Sequence, residues 1–296
     1  MKISNLSPIV LGIGKTPDTY SSQQINLARA WADDGHWVDV ITGRGDGLEG
    51  ALAHDRIRLL QLPLTWVGGR GGLPVLVGVG SVLKKEAYDL VFSSEHYQPS
   101  TLIACLNSSR VVIYQGQNTS GSSFLRKSVF AVLERVLVPP IRRRYLKVVA
   151  KTRSAEAFVR KRGFKNCVTI PCGYDADRFR LPSSGEKAES RAALGLVPEA
   201  RVLVYAGNLL PRRDVTVAVK TLSRLRKKGA NADLLVAGEG PEMGLLKQVA
   251  QDEGTSASVR FLGHLDWREL RKVYWAGDLF IFPTHYEIFG LVLVEA

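Results

Sequence analysis

The sequence predicts an α/β protein of two domains, each built on a parallel β-sheet. Three observations carry that expectation. The chain has 296 residues, more than the roughly 100 to 200 of a usual single domain. Short β-branched runs alternate with amphipathic runs, as strands alternating with crossover helices do in a sheet covered on both faces. The alternation restarts at RVLVYAG, residues 201–207, after a polar stretch.

In the first half MKIS (1–4) is a short first strand, followed by VDVIT (38–42), RIRLLQL (56–62), DLVFS (89–93), RVVIY (110–114) and KVVA (147–150) as buried strands. SQQINLARAWADDG is expected as a helix closed by Gly35, and SAEAFVRKRG as one capped by Ser154 and closed by Gly163. LPSSGEKAES (181–190) is expected as linker or surface loop. In the second half a helix is expected with Asp214 as N-cap, an apolar face of Val215, Ala218, Val219, Leu222 and Leu225, and Gly229 as its stop. DLLVAGEGP, a helix near 242–252, VRFLG, a helix near 267–275, DLFIFP and a final run beginning a helix at Ile288 complete it. Ligands of such sheets bind beyond the carboxyl ends of the strands.

With 45% hydrophobic and 23% charged residues the chain can bury a sizeable core. Cys105, Cys167 and Cys172 are odd in number and lack CxxC spacing, so neither a disulfide framework nor a zinc knuckle is suggested, and a reducing cytoplasm fits. No cleavable leader and no uncharged apolar stretch of membrane-spanning length is read in the sequence, so a cytoplasmic protein is expected. The net charge of +12 is concentrated: residues 120–165 hold thirteen Lys and Arg against Glu134 and Glu156.

Among the motifs, GIGKT (12–16) lacks the earlier glycine of a P-loop, since Ile9 stands there. Gly12, Gly14 and Lys15 remain a glycine-rich turn after a first strand, able to bring backbone close to a ligand. Asp175 and Asp177 form a DxD that fourteen aspartates produce by chance, so it is expected as a structural turn, and no metal is assigned. Glu287 and Glu295, eight positions apart in HYEIFGLVLVEA, are equally unremarkable by spacing. Their setting is not: Glu287 follows a buried strand, the backbone of Ile288, Phe289 and Gly290 is expected at a helix start suited to an anion, and Leu291 to Val294 are all apolar. Buried carboxylates are seldom kept without a partner or a task.

PTHYEIFGLVLVEA resembles the P-S-x-x-E-x-F-G-x-x-x-x-E-A signature of retaining glycosyltransferases of family 4, which have the GT-B fold. VTIPCGYDADRF looks like that family's IPNGVD junction between domains, YAGNLLPRRD like its GRL-x-x-x-KG loop, VAGEGPE like its GxGP loop, and VRFLGHLDWREL, AGDLFIFP and LARAWADDGHWVDVITG like further segments in the same order. The resemblance implies two Rossmann-like domains facing a cleft: an acceptor-side domain, residues 1–170, and a nucleotide-sugar donor domain, residues 171–296. It places Glu287 against the donor sugar, the amides of Ile288, Phe289 and Gly290 beside it, Glu295 on the ribose hydroxyls, and Arg213, with Gly207 in the preceding loop, at the diphosphate. Asn208 stands where an arginine usually gives a second diphosphate contact, a role left to Arg212. The usual histidine after the RVVIY strand is replaced by Gln115 or Gln117, which hydrogen bond but do not shuttle protons. Because family members continue beyond the point matching Ala296, the second domain is expected to be incomplete.

The implied activity is retaining, metal-independent hexosyl transfer from a nucleoside diphosphate sugar to a hydroxyl acceptor such as a lipid-linked or surface-polysaccharide precursor. No cofactor is expected beyond that co-substrate. A degenerate nucleotide-sugar-binding module and a nucleotide-sugar epimerase are the alternatives. In segment 122–147, Leu125, Val129, Leu133 and Val136 form an apolar stripe amid Arg126, Lys127, Arg135, Arg142, Arg143, Arg144 and Lys147, with Pro139 and Pro140 expected to break the helix before the arginines. That segment is expected to dock on the anionic inner face of the cytoplasmic membrane. Nucleic acid is disfavoured because no aromatic platform accompanies the charge.

Overall fold

A computed structural model of the chain describes residues 1–7, 23–44, 52–67, 73–116 and 124–296, with backbone only at 23, 67, 124–131 and 133. The chain divides into two compact units, Met1–Cys172 and Gly173–Ala296.

The first unit runs β1 (Lys2–Ser7), α1 (Gln23–Asp33), β2 (Trp37–Gly43), β3 (Ile57–Leu62), β4 (Leu64–Val67), β5 (Leu73–Leu76), α2 (Val79–Glu86), β6 (Leu90–Ser94), α3 (Pro99–Asn107), β7 (Val111–Gln115), α4 (Phe124–Arg144), β8 (Tyr145–Ala150), α5 (Arg153–Arg160) and β9 (Cys167–Thr169). Its main sheet is parallel, in the order β3-β2-β1-β6-β7-β8-β9, and β4 and β5 form a separate antiparallel ribbon. Chain order reverses between β1 and β6, the kind of switch point at which α/β sheets open a crevice. One core joins Leu6, Ile41 and Ile113 of the strands to Leu83, Ala104, Val138, Ile141 and Val159 of the helices. On the other face Ile25, Ala28 and Ala32 of α1 pack on Val38 and Val40.

Two helix details depart from expectation. Helix α4 does not break at Pro139 and Pro140 but continues to Arg144. Each proline lacks an amide for the helical ladder, and fully buried Ile141 with nearly buried Val138 holds the turn against the sheet despite that loss. Helix α5 is capped by Thr152, whose hydroxyl accepts from the amide of Ala155 at 3.1 Å, and not by Ser154.

The second unit runs α6 (Ser184–Ala193), β10 (Arg201–Ala206), α7 (Thr216–Lys227), β11 (Ala232–Ala237), α8 (Met243–Asp252), β12 (Val259–Gly263), α9 (Trp267–Ala276), β13 (Leu279–Phe280) and α10 (Val292–Glu295). Its sheet, also parallel, has the order β12-β11-β10-β13, with the reversal at β10. Leu203, Tyr205, Leu234 and Val236 meet Ala218, Val219 and Leu222 of α7 and Leu246 of α8 in the core.

The stretch expected as a linker is helical. Ser183 and Glu186 close a reciprocal capping box at the start of α6, and that S-x-x-E pattern was present in the sequence. The helix expected to open at Asp214 begins at Thr216. Asp214 ends a 3₁₀ turn, Pro211–Arg213, with φ of 45°, and its carboxylate accepts from the Thr216 hydroxyl at 2.7 Å. The helix expected to open at Ile288 is a single turn beginning at Val292, because Gly290 takes φ of 72° and interrupts the helical path.

Candidate active site

In the second unit the carboxyl ends of β10, β11 and β12 meet in a tight set of loops. Gly207 donates to the Ala237 carbonyl at 3.0 Å, Leu209 to Glu239 at 2.9 Å, and Gly238 to Gly263 at 2.7 Å. A Cβ on Gly238 would lie 2.0 Å from the Gly207 carbonyl oxygen, and one on Gly240 would lie 2.3 Å from that of Leu209. Only glycine allows these backbones to touch. Asn208 is exposed at the tip of the first loop, and its carbonyl accepts from the Tyr205 hydroxyl at 3.1 Å. Burial pushes that hydroxyl up to about 12, against the opposing charges of Arg213 and Arg212.

Beside this loop, Arg213 donates to Glu287 in an ion pair and lies 4.9 Å over the Phe282 ring. The other carboxylate oxygen of Glu287 accepts from the amide of Ile288 at 2.8 Å. Arg212 donates to the Tyr286 carbonyl at 3.1 Å, and the Thr284 hydroxyl donates to that same carbonyl at 3.0 Å. Gly290 turns back so closely that a Cβ there would sit 3.3 Å from Cγ of Glu287. The arrangement gathers two arginines and one carboxylate beyond the carboxyl edge of the sheet, where ligands of α/β folds bind. Of the three amides expected to face an anion, that of Ile288 is taken by Glu287.

Glu295 is not gathered into this cluster. It is buried, accepts from the Tyr274 hydroxyl at 3.2 Å, and lines a cavity of about 670 Å³ with Tyr174, Phe179, Arg180 and Trp275. Since α10 begins four residues later than expected, Glu295 ends a single helical turn. Asp175 behaves as a turn residue, accepting from the Arg178 amide at 3.1 Å and pairing with its guanidinium at 2.9 Å.

In the first unit, the carboxyl ends of β6 and β7 hold a buried polar cluster that the sequence reading missed. Glu95, immediately after β6, takes φ of 61°, a left-handed conformation costly for a residue with a side chain. Its carboxylate accepts from the amide of Gly116 at 3.0 Å. His96 is fully buried; its amide lies 3.1 Å and its Nδ1 2.9 Å from Oε1 of Gln115. Its Nε2 lies 2.9 Å from Glu134 of α4, which Arg162 also holds. Burial pushes the Glu134 carboxyl up, but the bonds from His96 and Arg162 outweigh it and hold the group below the usual glutamate range. Gln115 is therefore a buried, anchored side chain. Position just after a strand at the switch point was the available signal for Glu95 and His96; nothing local pointed to Glu134.

Gly12, Gly14, Lys15 and Gln117 lie outside the described residues, as do the side chains of Arg126 and Lys127. Arg135, Arg143, Arg144 and Lys147 are exposed, and Arg142 is exposed but donates to the Arg162 carbonyl at 3.2 Å. Among the described residues no helix is long and apolar enough to cross a membrane.

Two parallel-sheet units with loop clusters at their strand ends define a protein of the GT-B class. The family model described as Glycosyltransferase Family 4 matches residues 23–178, and that described as Glycosyl transferases group 1 matches residues 186–296; the chain belongs to glycosyltransferase family 4. It is 35% identical over 136 residues to a D-inositol 3-phosphate glycosyltransferase of Segniliparus rotundus, covering 43% of this chain and 28% of that protein. It is 38% identical over 94 residues to a glycogen synthase of Mycobacterium tuberculosis, covering 32% of this chain and 23% of the relative. The matched stretches thus span about a quarter of those relatives. Among solved structures, Anabaena HepE in complex with UDP shares the fold with a TM-score of 0.77 at 18% identity, over 100% of this chain and 77% of that one. WaaG, a glycosyltransferase involved in lipopolysaccharide biosynthesis, gives 0.69 at 18% identity, over 100% and 78%.

Proposed function

We propose that this chain transfers a sugar, with retention, from a nucleoside diphosphate donor to a hydroxyl acceptor. The observation that carries the reading is the pairing of Arg213 with Glu287 at the carboxyl edge of the second sheet. A diphosphate entering there competes for Arg213, and the displaced carboxylate is left beside the sugar. Arg213, with Arg212 next to it in sequence, offsets the charge that develops on the leaving diphosphate, so no metal is required. Glu287 stabilises the positive charge that develops on the sugar. A ribose that reaches the cavity lined by Glu295 takes the place of the Tyr274 hydroxyl as its donor. The uridine nucleotide is the first donor to test, because solved structures of HepE hold UDP and UDP-glucose.

The acceptor side is assigned to the first unit, at the carboxyl ends of β6 and β7 whose loops Gln115 anchors through His96, with a lipid-linked or surface-polysaccharide precursor as substrate. The same reading has α4 dock on the anionic inner face of the cytoplasmic membrane, and an exposed apolar and basic stripe supports it. Val132 and Val136 are 64% and 66% exposed, and helical spacing sets them on one stripe with Pro139 and Arg143, flanked by Arg135.

The test is a thermal melt with UDP, GDP, ADP and dTDP in turn, followed by transfer assays. A nucleotide at 100 times its dissociation constant adds about 2.7 kcal/mol and raises the midpoint. Glu287→Gln is expected to keep that shift and lose roughly 10² to 10³ in transfer. No shift with any nucleotide, or unchanged turnover in the variant, overturns the reading.

A further inference from the structure

At the opposite end of the first sheet from Gln115, where β7 and β8 begin, α3 and α4 end side by side. Between them is an open recess of about 460 Å³ lined by Leu106, Ser108, Ser109, Arg143 and Arg144, with Cys105 and Asn107 at its wall. We infer that this recess binds the phosphate of an anionic lipid headgroup. The inference rests on the membrane-docking reading above and gives that surface a specific ligand.

Four observations carry it. Both arginines are exposed, and neither side chain makes a hydrogen bond or an ion pair among the described residues. Arginines at a helix carboxyl end commonly serve only to satisfy its last carbonyls. Arg142, next to them, is engaged elsewhere, bonding the Arg162 carbonyl just beyond α5, whereas the side chains of Arg143 and Arg144 reach no carbonyl among the described residues. Next, the lining supplies donors and no carboxylate. The Ser108 oxygen accepts from the Arg110 amide at 3.1 Å, which leaves its proton to donate, and Ser109 adds a second hydroxyl. The thiol of Cys105 adds no competing charge, since burial pushes it up to about 12 while Arg144 only partly opposes the rise. Finally, the rim is apolar as well as basic. Leu106 and Leu146 are half exposed beside the arginines, Lys147 follows, and the Val132–Val136 stripe of α4 leads straight to Arg143. A soluble phosphate needs the arginines alone; a lipid headgroup uses both the arginines and the exposed aliphatic side chains around them.

The experiment is flotation of the whole chain at low salt with vesicles of phosphatidylglycerol and phosphatidylcholine in equal parts, beside vesicles of phosphatidylcholine alone. Wild type is expected to float with the first only. Arg143→Gln with Arg144→Gln is expected to weaken that partitioning about 30-fold. Lys220→Gln with Arg224→Gln removes the same charge from exposed positions of the second unit and is expected to change it little. Melting curves of both doubles are recorded alongside, and only variants that melt as wild type does are compared. If the two doubles lose binding equally, or neither loses any, the recess is not a site and docking stands without it. If wild type does not float, docking falls and the lipid assignment with it; phosphate that then still protects Arg143 and Arg144 from guanidine-modifying reagents would name a soluble ligand in its place.

Discussion

Arg162 with Glu134 in the first unit, and Arg213 with Glu287 in the second, are both arginine–glutamate pairs of similar exposure: 20% and 16% in one, 12% and 23% in the other. They differ in what else the carboxylate holds. Glu134 sits on α4 and also bonds His96, whose ring lies among Tyr97, Phe158 and Phe164 and whose other nitrogen meets Gln115. One carboxylate thus ties a helix, two strand ends and the exit of α5. Glu287 bonds Arg213 and the amide next to itself, both on loops. On that connectivity the first pair is expected to act as a fastener and the second, as proposed above, to open to a ligand, since burial is alike.

The largest expected effect that tests this contrast is Glu134→Ala. It leaves buried His96 and partly buried Arg162 without their common partner and is expected to cost about 3 to 5 kcal/mol in urea unfolding. A loss under about 1 kcal/mol would show that the network is not a fastener.

Acid titration sharpens the point. The folded-state pKa of Glu134 is depressed, so its contribution is fully present above the unfolded glutamate value of about 4.3 and is lost as pH falls through the folded value. The stability advantage of wild type over Glu134→Gln is therefore expected to shrink on acidification below about pH 4. A constant difference through that range would break the assignment.

The smallest effect is expected at the other pair. Glu287→Gln is predicted to change stability by no more than about 1 kcal/mol, because Arg213 keeps its stack on Phe282 and its contact with Thr284. An equally large loss in both units would erase the distinction.

Much of this fold was legible in the sequence. Buried strands such as 38–42, 110–114 and 201–206 announce themselves because both faces of a parallel sheet demand apolar residues, and they lie within a residue or two of the expected places. The misreadings have local physical causes. The capping box at Ser183 was overlooked among polar residues, tertiary burial carried α4 through two prolines, and left-handed turns at Asp214 and Gly290 delayed two helices. At the site, Arg213 and Glu287 were marked by family resemblance, and their mutual pairing was not foreseen. His96 and Glu134 stand 38 residues apart, and only the strand order brings them together.

The glycine contacts at the strand ends of the second unit bear on how relatives are to be compared. Gly238 and Gly240 touch the backbone of the neighbouring loop with no room for a methyl group. Selection for folding alone will keep them unchanged, even in descendants that have lost all turnover. Invariance at 238 and 240 therefore marks ancestry of the scaffold, while drift at Asn208 and Arg212, which carry no such steric demand, records changes in what the loops hold.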